Sequence, residues 1–265
     1  MIRQTAPITP MFLRLAGGVK RQSRVRCGER HARIGKNAGV LEVTTMEADR
    51  RPSFAMSGPS ERYAMTIAHE EAVIDSAAVD AIFAEARTAN SFTGEVTEDQ
   101  ARAIYELTKF GPTAFNSQPL RVTYVRSDEA RAQLVDTLAN GNKAKTASAP
   151  LVAVLSYDTA WAEQWDNFLP EYNAPKAMYD AAPDLAASTG NNNAHLQAGY
   201  FILAVRSIGL AAGPMTGADF GAIDAAFFPA GDQKSFLVVN IGQAGADAWG
   251  AAKPKFSYED VVRTV

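Results

Sequence analysis

The sequence predicts an α+β fold, with a mixed central sheet flanked by helices. Three observations lead there. The segments run helices, strand, helix, strand, long helices, strand and tail, not the strict alternation of a doubly wound sheet. No Gly-x-Gly-x-x-Gly occurs anywhere, so a Rossmann nicotinamide domain is not indicated. One long helix, near residues 183–208, has a second half that is apolar on nearly every side. Such a helix must be covered all round, which suggests a subunit interface as well as a core.

Composition narrows the function classes. The 265 residues are 47% hydrophobic and 21% charged, an ordinary globular mixture. A net charge of −3 gives no global reason to expect a nucleic-acid partner. The single Cys27 excludes an intrachain disulfide and a Cys-cluster metal site. His69-Glu-Glu-Ala-Val73 starts like a zincin motif but has Val73 where the second His belongs, so no metal is expected. The longest apolar run, within 196–205, is too short and interrupted to span a membrane.

Residues 1–65 differ from the rest. Nine Lys and Arg between Arg3 and Lys36 face only Glu29, and apolar residues are sparse, so no packed core is expected. The segment reads as an Arg-rich transit-like peptide, a basic tail, or upstream sequence ahead of a later start at Met65. The last is favoured, with disorder expected in each case. Residues 66–265 form the folded domain.

The elements follow in order. A helix over about 76–88, capped by Asp75 or Ser76, repeats Val79, Ile82, Phe83 and Ala86 at 3–4 spacing. It ends in Arg87-Thr-Ala-Asn90. Arg87 is either a solvated last-turn cation or a phosphate clamp, for which a guanidinium fork is well shaped. A second helix, about 98–110, opens on the capping box Thr97-Glu-Asp-Gln100, with Ile104, Leu107 and Tyr105 as its buried stripe. Gly111-Pro112 stops it. The loop Thr113-Ala-Phe-Asn-Ser-Gln-Pro119 then sets four short polar side chains before a strand at 122–125. A third helix, about 128–138, is capped by Ser127 and ended by Asn140-Gly141. Asn142 and Lys145 follow on a polar segment. Leu151-Val-Ala-Val-Leu155 is a strand buried on both faces.

Residues 158–182 hold five aromatics and read equally as a lid or as packing. The long helix, ended by Gly209, carries the cluster Asn191-Asn192-Asn193 and His195, read as a satisfied interface or core histidine. Gly213-Pro-Met-Thr-Gly217 reads as a turn that lets a planar ligand approach the backbone. A helix at about 219–227, a buried strand at 236–241 and a basic tail with Lys253 and Lys255 complete the chain.

The loop at 111–119 resembles the Pro-Ser-Ser-x-Asn-x-Gln-Pro signature of the FMN-dependent nitroreductase family. The segments around Arg87, Asn142-Lys145, Gly213-Gly217 and Lys253-Lys255 extend the likeness over about residues 74–265. Within the family the chain most resembles the malonic semialdehyde reductase branch of uracil degradation. The resemblance implies a nitroreductase-like fold in a cytoplasmic homodimer whose two FMN sites are built from both subunits. NAD(P)H would be co-substrate, with no nucleic-acid or membrane partner. It implies cofactor contacts from Arg87, Thr88, Asn90, Thr113, Ala114, Asn116, Asn142, Lys145, Pro214, Thr216, Gly217, Lys253 and Lys255. The family's usual Ser near Arg87 is here Ala89. Phe115 and Arg121 are candidates on the acceptor side, Arg121 as the cation for a 3-oxo acid. No side chain reads as a catalytic nucleophile; the flavin carries the hydride. The expected activity is reduction of malonic semialdehyde to 3-hydroxypropionate. The alternatives are a nitro, quinone or enone reductase of the same family, or a non-catalytic flavin-binding protein that uses its basic N-terminal arm for partners.

Overall fold

The computed structural model describes residues 68–265 apart from Asn173. The expectations for residues 1–65 lie outside the described residues. Helices and 3-10 turns surround a five-stranded sheet.

After a helical turn at 68–71 comes α1 (Ser76–Val79), whose N-cap Asp75 accepts the Ala78 N–H. A π-helical turn, Asp80–Ala84, follows. The expected helix to residue 88 therefore stops four residues early. Arg87 explains part of this: its Nη1 donates to the carbonyls of Ala84 and Ala86, groups that a continuing helix would bond internally. After the short β1 (Phe92–Thr93) comes α2 (Glu98–Thr108), with the Thr97/Gln100 capping box in place. Its buried stripe is Ala101, Ile104 and Thr108, while Tyr105 and Leu107 are exposed, contrary to expectation.

Strand β2 (Leu120–Val125) leads to α3 (Asp128–Asp136), where Ser127 accepts the Ala130 N–H as cap. Asn140-Gly141 does not end α3. It begins α4 (Asn140–Ala147), which carries Asn142 and Lys145. Strand β3 (Leu151–Asp158) is three residues longer than its apolar run. The aromatic excursion forms a 3-10 turn (Trp161–Gln164), α5 (Trp165–Phe168) and α6 (Ala174–Ala181). Trp161, Trp165 and Tyr179 pack together and are buried, so this segment is in large part packing. The long helix α7 (Pro183–Ser207) begins on Pro at N1 and is stopped by Gly209 at φ +82°.

Strand β4 (Ala211–Met215) replaces the expected turn. It was hidden by Gly213-Pro214, but β5 is the one strand that β4 pairs with among the described residues, and Pro is tolerated on edge strands. Then come α8 (Phe220–Phe227), capped by Asp219, the 12-residue β5 (Gln233–Ala244) and α9 (Tyr258–Val261).

Every strand pairing among the described residues is antiparallel. The order is β1-β5-β3-β2, with β4 also on β5. The expected mixed sheet is thus corrected to an antiparallel one. A single crossover helix returns the chain for a parallel strand, whereas two successive helices, α3 and α4, bring it back to the end it left. Alternation along β3 divides the core. Val152 and Val154 face Leu134, Met215, Ile223 and Phe228, while Leu151, Ala153 and Leu155 face Ile104, Ala198, Phe201 and Val205.

Helix α7 buries one face, and Ala198 and Phe201 on that face belong to the subunit's own core. Leu196 and Tyr200, one turn apart, remain 55% and 42% exposed. They form a bare apolar stripe.

Candidate active site

The expected site residues fall into two groups. The first surrounds β4. Ala89 N–H donates to the Ala212 carbonyl at 3.1 Å, and Asn90 N–H to the Ala248 carbonyl at 2.9 Å, which ties the segment from Arg87 to Asn90 along the strand's outer edge. Ala89 is fully buried, and Thr88 and Asn90 are exposed beside it. A side chain at Gly213 would come within 2.8 Å of the Phe92 ring and 2.9 Å of the Ala89 carbonyl, so only glycine allows this approach.

Past β4 the turn is held from α4. Asn142 Nδ2 and Ala139 N–H both donate to the Gly217 carbonyl, at 2.9 and 3.0 Å. A Cβ at Gly217 would lie 2.7 Å from Asn142 Nδ2. The N–H groups of Thr216 and Gly217 donate to no acceptor among the described residues. Arg87 and Lys145, both half-buried, have no carboxylate partner among those residues either. Two unneutralised cations and two free N–H donors along a strand lacking the Pro214 donor suit an anionic ligand rich in acceptors.

Helix α4 is fixed from below. Arg131 donates to the carbonyls of Val125, Thr146, Ala149 and Pro150, and its burial pulls the guanidinium below its usual pKa. Fully buried Asn240 donates Nδ2 to Thr146 Oγ1 at 3.1 Å, and Thr146 Oγ1 approaches Met215 Sδ at 3.7 Å.

The second group is the loop before β2. Ala114, Phe115 and Asn116 form its exposed 3-10 tip. Phe115, Asn116 and Gln118 have φ of +54°, +56° and +43°. Left-handed non-glycine residues cost about 1–3 kcal/mol each and persist only where their surroundings impose them. Helix α7 supplies that constraint. Asn193 Oδ1 accepts the Ala114 N–H at 2.7 Å and Gln197 Oε1 the Leu120 N–H at 3.1 Å. Thr113 Oγ1 accepts the Gln118 N–H at 3.2 Å. The Phe115 ring lies 5.6 Å from Trp165 and 6.4 Å from Tyr172. A cavity of about 510 Å³ opens on the other side of the loop, between α2, β2 and α5.

Among the described residues no hydrogen bond or ion pair joins the two groups. Lys253 and Lys255 stand on the exposed tail without ion-pair partners among the described residues. Arg121 is not a free cation: Nη2 pairs with Asp158 at 2.5 Å, and Nη1 donates to the carbonyls of Gln118 and Leu120. His195 is exposed, stacked on Phe236 at 4.1 Å and bonded to the Asn191 carbonyl.

Sequence reasoning missed Asn193 and Gln197. The signal was present, since amides four apart in a helix share a face. Their targets, 79 and 77 residues distant, were not readable. No helix among the described residues is long and apolar enough to cross a membrane.

The sequence model described as the Nitroreductase family matches residues 87–243. A Streptomyces coelicolor protein provisionally named NADH dehydrogenase/NAD(P)H nitroreductase is 50% identical over 194 residues, covering 73% of this chain and 98% of its own. A nitroreductase-like structure from Exiguobacterium sibiricum, solved in complex with FMN, superposes with a TM-score of 0.64 at 19% identity, over 69% of this chain and 95% of its own. The NADPH:FMN oxidoreductase of Vibrio harveyi, complexed with NAD+, does so at 0.56 and 19% identity, over 71% and 76%. At such identities the structural likeness concerns the fold.

Proposed function

The chain belongs to the nitroreductase family, and on that premise we propose that it is an FMN-dependent oxidoreductase that uses NAD(P)H to reduce a small electron-poor acceptor. FMN, when bound, supplies two-electron redox chemistry that no side chain here offers. The observation that carries the reading is the pair of carboxylate-free cations, Arg87 and Lys145, on segments that flank the free N–H groups after β4. Arg87 suits the phosphate. Lys145 supplies positive charge that favours the reduced, more negative ring system. The Thr216 and Gly217 N–H groups suit ring acceptors, while Asn142 shapes their turn. Lys253 and Lys255 add cations from the tail.

We infer that the loop at 113–116 serves the site of a second copy: within one chain α7 holds it, and no hydrogen bond among the described residues joins it to the β4 group. The bare stripe of Leu196 and Tyr200 borders that loop on α7 and suits burial by the second copy. We therefore infer a homodimer with shared sites. A cytoplasmic setting fits a consumer of NAD(P)H.

For the acceptor we favour nitro or quinone compounds over malonic semialdehyde. The carboxylate of a 3-oxo acid needs a cation, and Arg121 is already engaged by Asp158. Phe115 and its aromatic neighbours offer flat apolar surface instead.

Denaturing the purified protein and chromatographing the released cofactor should give FMN; FAD, or no flavin after reconstitution, would sink the assignment. A panel of nitro, quinone, enone and 3-oxo acid acceptors then ranks the substrates. FMN binding without turnover of any acceptor would favour the non-catalytic reading. Arg87→Ala should leave the fold intact and raise the FMN dissociation constant about tenfold or more, since a charge-assisted bond contributes about 1.5–3 kcal/mol. An unchanged constant in a fluorescence titration would make Arg87 a helix-end cap alone.

A further inference from the structure

The loop tip is shaped by residues that lie outside the cofactor set. Asn193 and Gln197 sit one turn apart on α7, 7% and 4% exposed. A buried Asn is a poor helix former, and an apolar residue there would serve the helix better. Its side chain is spent in both directions: Nδ2 donates to the Thr189 carbonyl at 2.8 Å, which fixes its orientation, and Oδ1 takes the Ala114 N–H. Gln197 takes the N–H of Leu120, where the loop becomes β2. The left-handed Phe115, Asn116 and Gln118 lie between these two anchors. An amide at each end defines the span that the loop must cover, and that span imposes the strained conformation.

We propose that Asn193 and Gln197 are positioning residues, which act through the Ala114 and Leu120 N–H groups to set the stance of Thr113, Phe115 and Asn116 toward flavin and acceptor. This rests on the function proposed above. Tip residues presented on a mobile loop would bind the acceptor only after ordering it, so loss of an anchor weakens binding more than turnover.

The test combines amide hydrogen exchange of the protein with kinetics of the FMN-loaded enzyme. Asn193→Leu, of similar volume, should speed exchange at Ala114 about tenfold or more through loss of this part-buried hydrogen bond, with the amides of β3 and β5 unchanged. The acceptor KM should rise about tenfold while kcat changes less than about threefold. Asn193→Asp keeps an oxygen for the Ala114 N–H but loses the donor to the Thr189 carbonyl, and should recover only part of both effects. Gln197→Leu should loosen Leu120 in the same way, and it carries the test if Asn193→Leu fails to fold. Unchanged exchange at Ala114 and Leu120 would overturn the anchoring. Faster exchange with unchanged KM and FMN affinity would overturn the positioning role. Absence of FMN binding in the unaltered protein would instead overturn the proposed function, and the exchange rates would still judge the anchors.

Discussion

On the proposed shared-site dimer, Leu196→Glu should leave a folded subunit that does not pair, and flavin should be lost together with the pairing. Leu196 is more than half exposed in the single chain, so a glutamate there stays hydrated in the free subunit and costs little. In a twofold dimer each substitution occurs twice, and covering the stripe buries two charges without partners, which costs several kcal/mol. Tyr200→Glu, one turn along the same stripe, should act in the same way. Ala198 and Phe201 would be misleading targets, since they are 3% and 1% exposed and a charge there attacks the subunit's own core. Light scattering alongside flavin absorbance over a dilution series reads both quantities. A folded monomer that keeps full FMN affinity would refute the shared site.

Arg131→Met should lower the melting temperature by roughly 2–12 °C. The guanidinium serves four backbone carbonyls, those of Val125, Thr146, Ala149 and Pro150. Val125, Thr146 and Ala149 are buried residues, so water does not readily replace the lost donors. An orphaned buried acceptor costs about 1–3 kcal/mol, and about 1 kcal/mol moves the midpoint of a domain this size by roughly 2–4 °C. Arg131→Lys should recover only part of the loss, because an ammonium lacks the planar fork. Calorimetry checks the shift. A change under about 2 °C would mean that water satisfies those carbonyls.

The parts of the fold legible in the sequence were those written locally. Thr97 with Gln100, Ser127 before Asp128, and Gly209 after α7 each announced a helix end by chemistry within a few residues. The apolar run from Leu151 to Leu155 announced a strand buried on both faces, as found. Where a local signal pointed the wrong way, tertiary pairing overrode it. Pro214 and Gly213 argued for a turn, yet an edge strand needs no N–H on its outer side, and β5 holds it. Asn140-Gly141 looked like a stop and served as a start. At the site, the resemblance supplied the residue types, but only the fold divided them into a group on β4 and a group on α7. The Asp158 partner of Arg121, 37 residues away, had no counterpart in the sequence pattern.

The central place of β5 bears on how the molecule is made. It hydrogen-bonds to β1, β3 and β4, and it is the last strand of the described chain. During synthesis, β2 and β3 can pair early, but β1 and β4 have no strand neighbour until residues 233–244 leave the ribosome. Until then β3 presents an open apolar edge, the kind of edge that pairs with other chains. Folding of this domain is accordingly a late and concerted event rather than a progressive one, dominated by contacts distant in sequence. A chain truncated before β5 lacks the centre of its sheet, however much of the rest has been made.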